Sequence, residues 1–285
     1  MMEFAFPRVL AWELTRKCPL ACTHCRAASV RSEDACELDT GECMRVIDSL
    51  AGDANRPPMI IWTGGEPMAR ADLPQLVRHA SSKGIRSVLA PCGVLVDRER
   101  LAELKAAGIE ACSFSIDGCD RRTHDAFRGV DGAWDAVMGA MVVARETGMP
   151  FQVNTVVRKG VFGRLDDIYA LALAEGATRL DLFFLVAVGR ASALASEKLD
   201  ESQIRDVIAW ADGKRVKLTC CPQAGTCIGG RAFAFLSHSG ELRTCGFFPV
   251  GCGNIRDFGY DFAEMVKNAR NPLGANGDCR NVAEV

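Results

Sequence analysis

The 285-residue chain contains no uninterrupted apolar run of the ~20 residues that a membrane-spanning helix requires. Its amino-terminal segment lacks the basic region and the cleavage site of a signal peptide, so we expect a cytoplasmic protein without membrane association. Charge of one sign is not in excess either, because 34 lysines and arginines stand against 36 aspartates and glutamates. This balance is not the basic footprint of a nucleic-acid-binding protein, and 48% hydrophobic residues exclude intrinsic disorder. We therefore expect small molecules or other proteins as partners.

Residues for several common catalytic chemistries are also scarce. The four histidines disfavour acid–base catalysis by a histidine relay. The sequence has no Gly-x-x-x-x-Gly-Lys-Ser/Thr phosphate-binding loop, no His-Glu-x-x-His metal motif and no Gly-x-Ser-x-Gly nucleophile motif. P-loop nucleotide hydrolysis, zinc proteolysis and serine hydrolysis are therefore disfavoured.

Cysteine, by contrast, is abundant, with 14 residues in a chain that shows no export signal. Eight cysteines lie between Cys18 and Cys119, six lie between Cys220 and Cys279, and none lies from 120 to 219. In a reducing compartment, cysteines at this density serve metal or redox chemistry more often than disulfides. The distribution predicts two separate groups of ligands.

The first 200 residues alternate short apolar runs with longer stretches of helical period. Six consecutive βα units predict an α/β fold with a parallel sheet, either open or closed into a partial barrel, and ligands at the carboxyl ends of its strands. The predicted strands are Val9–Leu14, Met59–Trp62, Ser87–Ala90, Ala111–Ile116, Phe151–Val157 and Leu180–Val186. The predicted helices are Thr40–Leu50, Leu73–Ser82, Arg98–Ala107, Ala133–Thr147 and Leu165–Glu175.

The pattern changes after about Ser202. One more helix is predicted over Ser202–Asp212, followed by a Cys-rich segment with two short strands joined by a hairpin turn at 238–240. We expect two parts, a barrel over 1–200 and a small Cys-rich extension over 201–285, which pack as one body because no linker separates them.

The strongest motif is Cys18-Pro-Leu-Ala-Cys22-Thr-His-Cys25, which directly follows the first predicted strand. Thiolates are the ligands of iron–sulfur clusters, and three of them leave one iron of a [4Fe–4S] cluster open for another ligand. A structural zinc site would need a fourth ligand, and His24 is badly placed for it because its neighbour Cys25 is already a ligand. The spacing favours an iron–sulfur cluster over zinc.

Together with Thr63-Gly64-Gly65-Glu66-Pro67 after the second strand, this loop resembles the radical S-adenosylmethionine (SAM) superfamily. The resemblance implies a partial (βα)6 TIM-like barrel, a [4Fe–4S] cluster whose open iron binds SAM, and a 5′-deoxyadenosyl radical that abstracts hydrogen from the substrate. Gly64 and Gly65 allow close approach of the backbone, and Glu66 offers a carboxylate to the SAM ammonium.

Further polar residues at predicted strand ends suit the same pocket. Ser113 and Ser115 alternate with apolar neighbours and should face one side of the sheet, with Asp117 at the end of the strand. The resemblance implies that this strand end contacts the SAM carboxylate or ribose and that Arg128 is the cation for that carboxylate. The alternative for Arg128 is a solvated charge at a helix end.

Two more residues have two open interpretations each. Asn154 lies inside an apolar strand, so it either binds SAM or ties strands together. His24 occupies the place where the family usually has an aromatic residue beside adenine, and the alternative is a hydrogen bond that stabilises the loop.

The carboxyl-terminal cysteines form a second pattern. Cys227, Gly240 and Cys245 give Cys-x12-Gly-x4-Cys, which resembles the start of the SPASM and twitch extensions that hold auxiliary [4Fe–4S] clusters. We expect one shortened SPASM/twitch-like domain with one auxiliary cluster, and the alternative is a set of reduced structural or zinc-binding thiols. The candidates for the remaining ligands are Cys220, Cys221, Cys252 and Cys279, whereas small apolar fillers are expected at Cys36, Cys43, Cys92, Cys112 and Cys119.

The resemblance extends to one branch of the superfamily. The segments concerned are Phe6–Arg16, His24–Ala27, Phe235–Gly240 and Cys245–Phe247, and they are similar to the heme synthases of the alternative heme pathway and to related heme d1 enzymes. This similarity implies oxidative decarboxylation of two propionates of iron-coproporphyrin, with an electron donor such as ferredoxin or flavodoxin. The candidate propionate partners are Arg26, Arg158, Arg190 and Arg231. A SPASM-type peptide maturase and a non-enzymatic iron–sulfur or zinc protein remain the alternatives.

Overall fold

The computed structural model describes residues 4–52, 57–219 and 227–272. The strands within these ranges are β1 Val9–Glu13, β2 Met59–Thr63, β3 Ser87–Leu89, β4 Ile109–Ser115, β5 Phe151–Val157, β6 Leu180–Phe184, β7 Val216–Thr219, β8 Phe233–Leu236, β9 Glu241–Arg243 and β10 Gly251–Asn254. The α-helices are α1 Thr40–Gly52, α2 Leu73–Ser82, α3 Arg98–Ala107, α4 Arg121–Arg128, α5 Ala133–Glu146, α6 Lys159–Phe162, α7 Leu165–Ala174, α8 Glu201–Ala211 and α9 Phe262–Asn268. Short 3-10 helices span Pro67–Ala69, Gly189–Glu197 and Ile255–Phe258.

All ten strands belong to one sheet in the order β10-β9-β8-β1-β2-β3-β4-β5-β6-β7. Strands β1 to β7 are parallel neighbours in chain order, and helical segments connect them. This arrangement confirms the predicted α/β fold. The chain then returns to the other side of β1, where β8 pairs with it in parallel and β9 and β10 follow antiparallel.

The two faces of the sheet have different surroundings. Along β5, buried residues alternate with half-exposed Gln152, Asn154 and Val156. The buried residues of the central strands join those of the helices in one hydrophobic core. The opposite face therefore forms the accessible inner side on which a ligand can lie. No helix within the described ranges has both the length and the apolar character needed to cross a membrane.

The structure adds elements that the hydrophobic pattern does not reveal. Helix α4 is missed because its sequence RRTHDAFR is mostly polar, although it buries His124 and Arg128. Strand β7 is missed because it is short, and it pairs with β6 after α8. Residues beyond 200 thus contribute strands at both sides of the barrel sheet, and the division at 200/201 stays a prediction.

A buried carboxylate fastens the carboxyl-terminal segment to α1. Glu42 and Asp39 form a reciprocal cap at the start of α1, since each accepts the backbone N–H of the other at 2.7–2.8 Å. Both Glu42 oxygens also accept hydrogen bonds from Arg256, at 2.8 and 3.0 Å, and Tyr260 Oη donates to Oε1 at 2.5 Å. The Arg256 guanidinium holds the pKa of Glu42 at about 2, below its ordinary value of 4.5.

We expect Glu42→Gln to lower the free energy of unfolding by about 1–3 kcal/mol, because it removes the charge that these donors share. The wild-type contribution should be complete above pH 4.5 and disappear as the pH falls from 4.5 towards 2, the folded-state pKa. Urea unfolding of both proteins at several pH values measures this difference. Glu201→Gln, at an exposed carboxylate 4.0 Å from Arg205, is the control and should behave as wild type. A Glu42→Gln protein as stable as this control at pH 7 contradicts the prediction.

Candidate active site

The loop after β1 carries the three motif cysteines. Its ends are tied together, because Cys18 N donates to Val30 O at 2.8 Å and Val30 N donates to Arg16 O at 2.9 Å. Cys18 is buried, Cys22 and Cys25 are half-buried, and all three are free thiols. Burial raises the pKa of Cys22, whose charge also interacts with those of Cys25 and Cys18. The sequence-predicted ligands are therefore brought together on one loop.

The two motif glycines bring the next turn against the start of this loop. Gly65 N donates to Thr15 O at 2.6 Å, and Glu66 N donates to Lys17 O at 2.8 Å. A Cβ atom at Gly65 would lie 2.4 Å from Lys17 O, and one at Gly64 would lie 2.5 Å from Thr15 O. The glycines allow the close backbone approach predicted from the sequence, and the partner in the structure is the segment that leads into Cys18.

Glu66 is completely buried beneath the cysteine loop. Its Oε1 accepts the Met68 N–H at 2.9 Å, and its Oε2 accepts the Cys92 N–H at 2.6 Å. Burial raises the pKa of this carboxyl group. The carboxylate thus joins the turns after β2 and β3, while its predicted contact with the SAM ammonium stays a prediction.

Cys92 has a more specific place than the apolar filler expected from the sequence. The interaction with the Cys92 side chain is the largest cause that lowers the pKa of Cys18 from 9.0 to about 7, whereas burial opposes this change. A lower pKa favours the thiolate, which is the form that binds iron. Nothing in its spacing distinguished Cys92, because the contact depends on the ends of β1 and β3, which β2 separates in the sheet. Cys36 also departs from the expectation, since it is exposed, whereas Cys43 and Cys112 are completely buried as expected of fillers.

Asp117 and Arg128 form a buried ion pair beside the loop. Arg128 Nε and Nη2 donate to Asp117 Oδ2 at 3.0 and 2.8 Å, and Arg128 Nη2 also lies 3.3 Å from Ser115 O. Asp117 Oδ1 accepts the Val156 N–H at 2.9 Å. Burial alone would raise the pKa of Asp117, but Arg128 and the nearby histidines hold it at about 2. Arg128 is 6% exposed, so the alternative of a solvated helix-end charge is wrong.

His24 stacks against Phe127 with a centroid distance of 4.5 Å and an interplanar angle of 12°. The Arg158 guanidinium lies 4.0 Å from the centroid of the same ring. Burial lowers the pKa of His24 to about 4, so the ring is neutral at pH 7. Its Nε2 lies 3.6 Å from Asp117 Oδ2, and its buried Nδ1 has no hydrogen-bond partner among the described residues. The orphaned Nδ1 does not support the alternative of a loop-stabilising hydrogen bond and suits a bound group with its own polar atoms.

Asn154 joins strands on the inner face. Its Nδ2 donates to Ser113 Oγ at 2.8 Å, and its Oδ1 accepts from Gln152 Nε2 at 3.1 Å. Gln152 Nε2 also donates to Asp181 Oδ2 at 3.0 Å. Of the two interpretations, the structure shows the strand-tying one, while SAM binding by Asn154 and Ser115 stays a prediction.

The second group of cysteines is only partly described. Cys227 and Cys245 both pack against Phe248, whereas Cys252 packs against the main core and burial raises its pKa to about 11. Cys220, Cys221 and Cys279 lie outside the described residues. Within the described ranges, no three His, Cys, Asp or Glu side chains converge on a point that could hold a single metal ion.

A salt bridge that sequence analysis did not identify joins the cysteine loop to the carboxyl-terminal hairpin. Arg26 Nη2 donates to Glu13 Oε2 at 2.8 Å, and Arg26 Nη1 lies 3.3 Å from Gly246 O. Glu13 Oε1 is 2.9 Å from His238 Nδ1. Although burial opposes ionisation, His238 and Arg26 hold the pKa of Glu13 at about 2. The only sequence signal for Glu13 was a carboxylate at the end of an apolar strand.

Comparison with known families is consistent with this geometry. Residues 12–172 match the family model described as the Radical SAM superfamily. The chain belongs to the radical SAM superfamily. Enzymes of this superfamily use a [4Fe–4S] cluster and SAM, and the three free thiols of one loop with the orphaned His24 Nδ1 suit these groups. The chain is therefore a radical SAM enzyme, and the non-enzymatic alternative is excluded.

Several named proteins are similar to this radical SAM chain. It is 35% identical over 282 residues to the "AdoMet-dependent heme synthase" of Nitratidesulfovibrio vulgaris, covering 88% of this chain and 76% of the relative. It is 35% identical over 309 residues to the protein of the same name from Methanosarcina barkeri, covering 96% and 87%. It is 32% identical over 257 residues to the "PqqA peptide cyclase" of Rhodopseudomonas palustris, covering 85% and 68%.

Solved structures support the fold. Streptococcus suis SuiB bound to its precursor peptide SuiA matches with a TM-score of 0.74 at 16% identity, covering 94% of this chain and 66% of that one. The enzyme anSMEcpe with bound AdoMet matches with a TM-score of 0.71 at 17% identity, covering 91% and 80%. At this level of identity the similarity concerns the fold alone.

We expect Gly65→Ala to reduce both iron content and 5′-deoxyadenosine formation, the latter at least about tenfold, because the new Cβ would displace the backbone that leads into Cys18. Iron analysis and product quantification after anaerobic reconstitution measure both effects. Gly139→Ala is the matched control, since it lies in α5 with no atom within 4 Å of an added Cβ and should bind iron normally. Equal iron content in the two variants contradicts the prediction.

Proposed function

We propose that this enzyme oxidatively decarboxylates propionate side chains of a heme-type tetrapyrrole such as iron-coproporphyrin. The observation that carries the proposal is the similarity to proteins named AdoMet-dependent heme synthase, which extends over nearly the whole chain rather than over the barrel alone. We further propose a ferredoxin or flavodoxin as electron donor and the cytoplasm as the location.

The inner face of the sheet offers a surface suited to a flat, largely apolar macrocycle. The side chains concerned are half-exposed and aliphatic, and they lie on three adjacent strands: Val9, Ala11, Met59, Ile61 and Val88. Contact with these side chains would remove apolar surface of the macrocycle from water. The polar groups at the strand ends lie towards the cysteine loop, where the reaction takes place under this proposal.

Of the four candidate propionate partners, Arg158 is the one with a guanidinium nitrogen that lacks a hydrogen-bond acceptor among the described residues. Arg26 pairs with Glu13, and Arg231 donates to Cys227 O. Arg158 Nη1 lies 3.2 Å from Glu197, but its buried Nε has no partner among the described residues. A substrate carboxylate would supply the acceptor that this guanidinium lacks. The fourth candidate, Arg190, is bonded to the cysteine loop itself.

In the proposed mechanism Cys18, Cys22 and Cys25 hold the SAM-binding cluster. When bound, the cluster and SAM supply a carbon-centred radical that can abstract hydrogen from the substrate. The neutral ring of His24 with Phe127 provides a wall for the adenosyl part. The pairing of Asp117 with Arg128 keeps the end of β4 in place without leaving a buried charge uncompensated. The cysteines of the second group would hold an auxiliary cluster, which would supply an acceptor for the surplus electron of the decarboxylation.

Anaerobically reconstituted enzyme with dithionite, SAM and iron-coproporphyrin tests the proposal. Formation of 5′-deoxyadenosine together with a porphyrin that has lost carbon dioxide and hydrogen supports it. Deoxyadenosine formation with an unchanged porphyrin contradicts iron-coproporphyrin as the substrate and leaves other tetrapyrroles and peptides to be tested. In that case peptide modification, which the similarity to PqqA peptide cyclase favours, becomes the next candidate.

We expect Cys22→Ala to abolish 5′-deoxyadenosine formation, because two remaining thiolates cannot hold the cluster with one iron reserved for SAM. The same assay without porphyrin measures this loss. Cys36→Ala, at an exposed cysteine outside the Cys18–Cys25 motif, is the matched control and should retain activity. Retained SAM cleavage in Cys22→Ala overturns the ligand assignment.

For the auxiliary cluster, we expect Cys245→Ala to lower iron content while SAM cleavage without substrate is retained, because the two cysteine groups serve different clusters. Iron analysis of wild type and variant measures the difference. An iron content of about four per chain in wild type, with no loss in Cys245→Ala, would show that no auxiliary cluster of the [4Fe–4S] type is held there.

A further inference from the structure

The turn after β6 lies directly against the cysteine loop. Gly189 has a φ angle of +58°, and a Cβ atom there would lie 2.2 Å from Arg26 O and 2.7 Å from Cys25 O. The next residue, Arg190, donates its backbone N–H to Cys25 O at 3.0 Å. Glycine is required at 189 both by this backbone conformation and by the close approach to the loop.

The Arg190 side chain extends the contact to both sides of Cys25. Its Nε donates to Cys22 O at 2.8 Å, and its Nη1 donates to Ser29 O at 2.9 Å. Its Nη2 donates to Ser29 Oγ at 3.3 Å, and this hydroxyl lies 3.5 Å from Cys25 Sγ. A planar guanidinium, with several donors in fixed directions, can bind these acceptors at the same time. The ammonium group of a lysine cannot.

The guanidinium of Arg190 donates its hydrogen bonds to atoms of the cysteine loop. Among the described residues, no carboxylate forms an ion pair with it, whereas Arg26, Arg128 and Arg158 each have an acidic partner. Charge-assisted hydrogen bonds to carbonyl oxygens are stronger than neutral ones. Arg190 therefore contributes a substantial part of the order of the loop from Cys22 to Ser29.

We propose that Arg190 is a positioning residue, which holds the cysteine loop in the conformation that binds the SAM-binding cluster and slows the loss of its iron. The inference rests on the proposed role of Cys18, Cys22 and Cys25 as ligands. When the guanidinium is removed, the carbonyls of Cys22 and Ser29 turn to water, the loop opens more often, and an iron atom escapes more readily.

The rate of iron release from the anaerobically reconstituted enzyme to a ferrous chelator tests this inference. We expect Arg190→Gln to release iron at least about tenfold faster, because the variant loses the guanidinium hydrogen bonds to Cys22 O and Ser29 O. Arg190→Lys should fall between Arg190→Gln and wild type, because its ammonium reaches fewer of the acceptors. Electron paramagnetic resonance should show more three-iron cluster in Arg190→Gln after mild oxidation.

Arg179→Gln is the matched control. Arg179 precedes the same strand β6 at its opposite end, where its Nε donates to Asp181 at 2.6 Å, and its replacement should leave iron release unchanged. The thermal unfolding midpoint separates a local from a global effect, and we expect it to be similar in all four proteins.

Three results overturn the inference: iron release at the wild-type rate in Arg190→Gln, equally fast release in Arg179→Gln, or fast release in Arg190→Gln that only accompanies global unfolding. Cys22→Ala distinguishes this failure from that of the ligand assignment. A Cys22→Ala protein that keeps its cluster refutes the assignment, whereas an inactive Cys22→Ala beside a normal Arg190→Gln refutes only the role of Arg190.

Discussion

The close backbone contact between the turn at 63–66 and the segment 15–17 is the constraint on which the rest of the site depends. It extends the pairing of β1 with β2 beyond the end of the sheet and determines where the cysteine loop begins. Any side chain at position 65 would enter the space of two carbonyl oxygens. Glu66 then fixes the turn after β3 from below, which brings Cys92 next to Cys18.

The loop is held from its far side by a different kind of contact. There the turn at 189–190 uses both backbone and guanidinium donors, and Thr23 N donates to Arg128 O at 2.9 Å. The loop is therefore attached to β2, to α4 and to the turn after β6, three regions far apart in sequence. Such attachment limits the freedom of a segment that has almost no regular secondary structure of its own.

Charge around the site is positive close to the cysteines. Burial is the largest cause of the lowered pKa of His24, and the charges of Arg128, Arg158 and Arg190 lower it further, whereas the charge of Asp117 raises it. Arg128 and Arg158 are paired with carboxylates, so the positive charge that remains is that of Arg190, which forms no ion pair among the described residues. This charge suits thiolates and an anionic cluster, because it compensates negative charge in a poorly solvated place. The same logic explains why buried Asp117 and Glu13 are each fully paired.

The carboxyl-terminal segment continues the same sheet instead of standing apart from it. Strand β8 lies beside β1, His238 contacts Glu13, and Arg256 binds Glu42 at the start of α1. The residue after Cys245 is Gly246, and its carbonyl oxygen lies 3.3 Å from Nη1 of Arg26 in the cysteine loop. The two cysteine groups are thus mechanically connected through one arginine and one buried carboxylate.

Much of this protein follows from local sequence. Apolar periodicity predicted six strands and six helices, because strand and helix periods reflect which face is buried, and the spacing of Cys18, Cys22 and Cys25 predicted their common loop. Helix α4 was missed because it buries polar residues, whose partners are distant in sequence. For the same reason, the sequence alone could not decide between the alternative roles of the polar residues at the site. Whether Arg128 is solvated or paired, whether Asn154 binds a ligand or another strand, and whether Cys92 is a filler or a neighbour of Cys18 depend on contacts between strand ends. Only the tertiary structure decides these, because the energy of a buried polar group is set by the partners that the fold brings to it.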